Sequence, residues 1–132
     1  MTRTYLLQMG LVGIGGFAGA VLRFAASGWV HQVLPTSRFP VGTLAVNVAG
    51  CLAIGFLGGL AEVRHLFSPE LRLLLFLGLL GGFTTFSTLA FETLTLARSE
   101  HWPLAVGNVV AHLVLGLGGA WLAYLLARSF AS

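Results

Sequence analysis

Four apolar runs, separated by short polar breaks, fill almost the whole chain. The first extends from Leu6 to about Val30 and closes in HQVLPTSRFP; the second extends from Val41 to Ala61 and closes in EVRHLFSPE. The third runs from Leu71 to Ala97, with Ser68 and Pro69 placed as N-cap and first turn, and the fourth runs from Pro103 to Ala127 after RSEHW. Each holds the ~20 residues needed to cross ~30 Å of hydrocarbon at ~1.5 Å per residue. Lipid offers no partner to a backbone amide, so such runs must close their hydrogen bonds within helices. With 57% of residues hydrophobic and 8% charged, the chain also lacks the polar surface a soluble core would need. Arg3 before the first run also fits a signal peptide, but the length of that run and the three spans after it favour a retained helix. The expectation is an all-α membrane protein, a single four-helix domain over 1–132.

Charge and glycine placement point to self-association. The seven basic residues are all arginine, at 3, 23, 38, 64, 72, 98 and 128, mostly between the runs. They read as membrane flanks, which excludes a nucleic-acid surface. Arg3, Arg64, Arg72 and Arg128 fall on one side, Arg38 and Arg98 on the other, with Arg23 uncertain in depth. So weak a bias allows insertion both ways and an antiparallel (dual-topology) homodimer. Gly15 and Gly19, Gly55 and Gly59, and Gly78 and Gly82 are each four apart, the spacing that lets membrane helices approach closely. Four helices alone have little interior in which to hide Arg23, Asn47, Glu92, Asn108 and His112. Cys51, the sole cysteine, excludes an internal disulfide or a CxxC site and reads as a small core residue.

The stretch GGFTTFSTLAFE, residues 81–92, puts four hydroxyls and a carboxylate inside an apolar span. On one helix, Thr84, Thr88, Glu92 and Thr95 would form a continuous polar stripe, with Phe83 and Phe86 on a neighbouring face. Hydroxyls returned to carbonyls four residues back would account for any one threonine. The Gly81–Gly82 pair followed by β-branched threonines instead predicts a break in the third helix near mid-membrane. Freed carbonyls suit a small cation, whereas amides, hydroxyls and phenyl edges are donors toward an anion. Asn47 offers two N–H donors; Phe86, Ser87 and Thr88 offer ring edges and hydroxyls. Glu92 must be protonated or turned toward arginine or hydroxyl partners, and spacing alone leaves the ion open.

Three segments, GGFAGAVLRF (15–24), GTLAVNVAG (42–50) and GGFTTFST (81–88), resemble the signature regions of the Fluc, or CrcB-type, fluoride channels. The resemblance implies an antiparallel homodimer in the cell (inner) membrane that exports fluoride passively through two pores. It also implies a structural Na⁺ at the dimer centre, held by the main-chain carbonyls of Gly81 and Thr84. Asn47 matches the pore asparagine, Phe86 the first pore phenylalanine, and Arg23 the arginine at the mouth of the vestibule, with Ser87 and Thr88 beside the path. The family usually repeats FSTFS where this chain reads FSTLA, so Leu89 and Ala90 replace an expected phenylalanine and serine on the pathway. Phe91 lies about 200° around a helix from Leu89 and cannot stand in for it. His112 and Asn108 either face the pore or bridge helices.

The competing reading is a small multidrug-resistance exporter coupled to protons. Such proteins need a carboxylate in the first helix, and the first span here has none; Glu92 in the third span could serve a proton-coupled mechanism. A purely structural subunit would not need the polar stretch. No grouped nucleophile, base and orienter, and no metal-ligand cluster, points to an enzyme.

Overall fold

The computed structural model describes residues 3–64 and 66–131, and these form four helical segments long and apolar enough to span a membrane. Helix α1 is Arg3–Val33 and α2 is Val41–Arg64. The third segment is divided into α3, residues 69–83, and α4, Phe86–Arg98; the fourth is α5, residues 102–131. Ser68 caps α3 by accepting from the Leu71 amide at 3.2 Å, with Pro69 in the first turn. Between α4 and α5 the chain turns through Glu100 at φ 60°, and the His101 amide reaches back to Leu96 O at 2.9 Å, a six-to-one closure of the helix end. The helices run a few residues past the apolar runs at both ends, because the amphipathic flanks continue to satisfy their own backbone. Position 65, in the second break, lies outside the described residues.

Glycine sets the packing. Along α1, Gly15 and Gly19 lie so close to α3 that a methyl at either would collide with the carbonyls of Leu74 or Leu79. The opposing surface is also glycine: a Cβ on Gly78 would meet Gly15 Cα at 3.0 Å, and one on Gly82 would meet Gly16 Cα at 2.9 Å. The four-residue spacing thus operates on both partners, as expected where close backbone approach drives association in lipid. Gly55 and Gly59 do the same between α2 and α5, against Ala120 and against Tyr124 O. At the end of that pair, the Tyr124 hydroxyl donates to the Glu62 carboxylate at 2.6 Å.

Little else is enclosed. The buried apolar side chains are small or few, Val46, Ala61, Leu80, Leu89, Ala105, Ala123 and Ala127, whereas most large apolar residues face outward. That distribution suits hydrocarbon surroundings and leaves polar residues as much of what the bundle buries: Thr43, Asn47, Thr85, Asn108 and His112.

Candidate functional site

The third span breaks at Thr84 and Thr85. Both are extended, with φ/ψ of −84°/156° and −149°/113°, between helical Phe83 and Phe86. Two glycines and two β-branched residues make helix weak there, and Asn47 of α2 supplies the alternative partner. Asn47 Nδ2 donates to Thr85 O at 3.0 Å, and Thr85 N donates to Asn47 Oδ1 at 2.7 Å. The side-chain amide therefore takes the place of a main-chain neighbour for a residue outside any helix. Thr85 then starts α4 as its N-cap, its hydroxyl oxygen accepting from the Thr88 amide at 3.2 Å.

The break deprives Gly81 O and Thr84 O, among other carbonyls, of their helical partners. In an unbroken helix the Thr85 amide would close on Gly81 O and the Thr88 amide on Thr84 O. Here those amides go to Asn47 and to the Thr85 hydroxyl. Arg23 Nη1 lies 3.4 Å from Thr84 O, a long contact that leaves most of that oxygen's accepting capacity open. Arg23 thus reaches to the depth of the break.

The continuous threonine stripe expected from the spacing does not form, because Thr84 lies in the extended break and Thr88 in α4. Thr84 Oγ1 returns to Leu80 O at 3.0 Å and Thr95 Oγ1 to Phe91 O at 2.9 Å, which is the local alternative for such residues. Asn47 is likewise corrected: one of its two N–H donors is committed to Thr85, leaving a single free one.

Two recesses flank the break. A cavity of about 390 Å³ is lined by Asn47, Thr84, Thr85, Phe86, Leu89 and His112 among apolar neighbours that include Cys51 and Gly81. On the far side of Thr85, a recess of about 240 Å³ holds Arg23, Ser27, Thr43 and Thr88. Ser27 and Thr43 also line a third, of about 260 Å³, with Glu92, His31 and Arg38. Leu89 is buried in the cavity wall, while Phe86 is 81% exposed at its rim. Ser87 faces outward, outside all three, its hydroxyl 3.3 Å from Thr85 Oγ1. Glu92 has a hydroxyl partner: Thr43 donates to its Oε1 at 2.6 Å, and its Oε2 is buried without one. Asn108 bridges helices through Nδ2 to Thr93 Oγ1 at 3.0 Å, whereas His112 lines the cavity.

Thr85, Thr43 and Thr93 are the site residues that sequence reasoning passed over. A signal existed for the first two: Thr85 stands three residues before Thr88 where a new helix must start, and Thr43 is one turn before Asn47 on α2.

Residues 10–124 match the family described as CrcB-like protein, Camphor Resistance (CrcB). The chain belongs to the CrcB family. Curated relatives match about nine-tenths of its length. A protein of Methylobacillus flagellatus named fluoride-specific ion channel FluC is 44% identical over 93% of this chain and 96% of its own. One of Methanosarcina acetivorans, named fluoride-specific ion channel FluC 1, is 42% identical over 92% of each chain. A Roseiflexus protein, named fluoride-specific ion channel FluC, is 47% identical over 89% of this chain and 94% of its own. The CrcB match reaches into all four spans, so the break, both recesses and α5 as far as Tyr124 lie inside it.

Proposed function

We propose that this chain is a fluoride-selective channel that lets the ion leave the cell down its gradient. The observation that carries the reading is the Asn47–Thr85 break, which opens a recess on each side in a chain similar over nine-tenths of its length to proteins named as fluoride-specific channels. Along this route an anion meets the remaining Asn47 N–H, the Phe86 ring edge and the Thr88 hydroxyl, whereas the Thr85 hydroxyl already donates to Thr88 Oγ1 at 2.9 Å. Neutral donors replace hydration and still release the ion, and Arg23 beside the second recess raises local anion concentration without sitting in the 390 Å³ cavity. Glu92 is set apart from that cavity by its bond to Thr43. The multidrug-exporter alternative has no support from the family, and α1 carries no carboxylate. Ion conduction leaves no reaction for an enzyme to perform.

The working unit in this reading is an antiparallel homodimer in the inner membrane. The few polar groups that face the cavity at mid-membrane depth have to be covered by protein, because hydrocarbon leaves amide and hydroxyl groups unsatisfied. A second copy of the chain is the cover with matching chemistry. The freed carbonyls of Gly81 and Thr84 are hard oxygen donors that fit Na⁺, and two per protomer are too few until a partner doubles them. A bound Na⁺ would supply the positive charge that holds the two breaks together.

Efflux from liposomes containing the pure protein tests the reading. Fluoride should leave far faster than chloride; equal rates for the two anions, or none above protein-free vesicles, would refute it. Cysteine labels at one terminus should react from both sides of the membrane, and labelling from one side only would remove the antiparallel arrangement.

A further inference from the structure

His112 is the polar residue of the cavity that the conduction path does not yet use. It lines the cavity from α5 and is only 9% exposed. Its Nδ1 is 2.8 Å from Asn108 O, and since a carbonyl has no proton to give, Nδ1 must be the donor. The neutral ring then carries its lone pair on Nε2, which is buried with no partner. The tautomer is held in place from behind: Asn108 is fully buried and pinned to Thr93 by its side chain. A π-helical turn, His112–Leu117, begins at this residue, a local departure often kept where a helix serves a site.

Neutral His112 offers an anion no donor. Once Nε2 is protonated the ring is a cation buried without a counter-charge, which is costly in a low dielectric. An anion in the adjoining cavity supplies the missing charge, so each makes the other more favourable. The remaining groups around the cavity do not compete. Cys51 is the titratable group that α2 contributes, and the lining residues of α3 and α4 are uncharged. Glu92 of α4 is bound to Thr43, and Arg23 of α1 contacts Thr84 O; both line the other recesses.

We propose that His112 links fluoride conduction to protons: anion occupancy of the cavity and protonation of Nε2 favour each other, so flux rises on acidification. The charge is not permanent, and loss of the proton lets the anion go, which avoids the trapping that a fixed cation would cause. The proposal rests on the fluoride-channel reading above.

Fluoride efflux from liposomes at pH 6 and pH 8 provides the test, with protein-free vesicles subtracted because hydrogen fluoride crosses lipid unaided. Wild-type flux should be at least about threefold higher at pH 6, within the range where histidine changes charge. His112→Gln, neutral at both, should give a flat profile. Wild-type flux with the same pH ratio as His112→Gln overturns the proposal. A second measurement needs no variant: in ¹⁵N-histidine-labelled wild type in nanodiscs at fixed pH, fluoride should shift the His112 Nε2 signal toward that of a protonated nitrogen and gluconate should not. A signal indifferent to fluoride overturns the proposal as well. Absence of wild-type fluoride flux at both pH values sinks the channel reading itself, whereas flux without pH dependence sinks only the role of His112.

Discussion

Asn47 and Thr85 exchange two hydrogen bonds, 3.0 Å from Nδ2 to the Thr85 carbonyl and 2.7 Å from the Thr85 amide to Oδ1, and so hold the third span open. Asn47→Ala should leave a buried amide and carbonyl unpaired, at a cost of about 1–3 kcal/mol, and should reduce fluoride efflux as well as melting temperature. Asn47→Asp keeps the acceptor but sets a carboxyl oxygen against the Thr85 carbonyl, so it too should melt below wild type. A variant that melts like wild type would mean that the pair does not maintain the break.

Close approach at Gly19 predicts intolerance of any side chain. Gly19→Val should destabilise the protein by about 1–3 kcal/mol or more, since a Cβ there meets the α3 backbone and not a side chain that can move aside. Gly13→Ala is the control: nothing lies within 4 Å of the added methyl. Thermal melts in detergent should separate the two clearly.

Thr43 and Glu92 should be coupled. Thr43→Val removes the partner of Glu92 Oε1 while Oε2 already has none, so it should cost about 1–3 kcal/mol. Glu92→Gln should cost less in the Thr43→Val background than in wild type, because the Thr43 hydroxyl that its carboxyl accepts from is already gone. A double-mutant cycle in thermal stability should give an interaction of at least about 0.5 kcal/mol; additive losses would mean the contact is incidental.

Leu89 is buried in the cavity wall, at a place already shaped to hold a large apolar group. Leu89→Phe should conduct fluoride at a rate comparable with wild type, whereas Phe86→Ala should lower efflux by roughly tenfold, equivalent to about 1.4 kcal/mol of barrier. A folded Leu89→Phe protein that passes no fluoride would remove Leu89 from the path.

If Na⁺ binds through main-chain carbonyls, Thr84→Ser should leave its effect intact. Sodium at ~100 times its dissociation constant should stabilise the folded protein by about 2.7 kcal/mol over N-methylglucamine of equal ionic strength. Identical melting curves in the two cations would argue against the site.

The four spans, the capped start at Ser68 and the glycine pairs were legible in the sequence because each depends on local rules: run length against bilayer thickness, side-chain caps, and a period that places small residues on one helix face. The break was legible for the same reason, since Gly81, Gly82, Thr84 and Thr85 disfavour helix wherever they stand. What tertiary structure decided was partnership. Spacing placed Thr84, Thr88 and Thr95 on one stripe, but Asn47, 38 residues away in the chain, captures Thr85 and turns α4 out of register with α3. It likewise assigned Thr43 to Glu92, Thr93 to Asn108 and Arg23 to a carbonyl at the break. A hydroxyl or amide has similar propensity with many partners, and in a bilayer with no water to fall back on, the helix that happens to lie opposite determines which bond it makes.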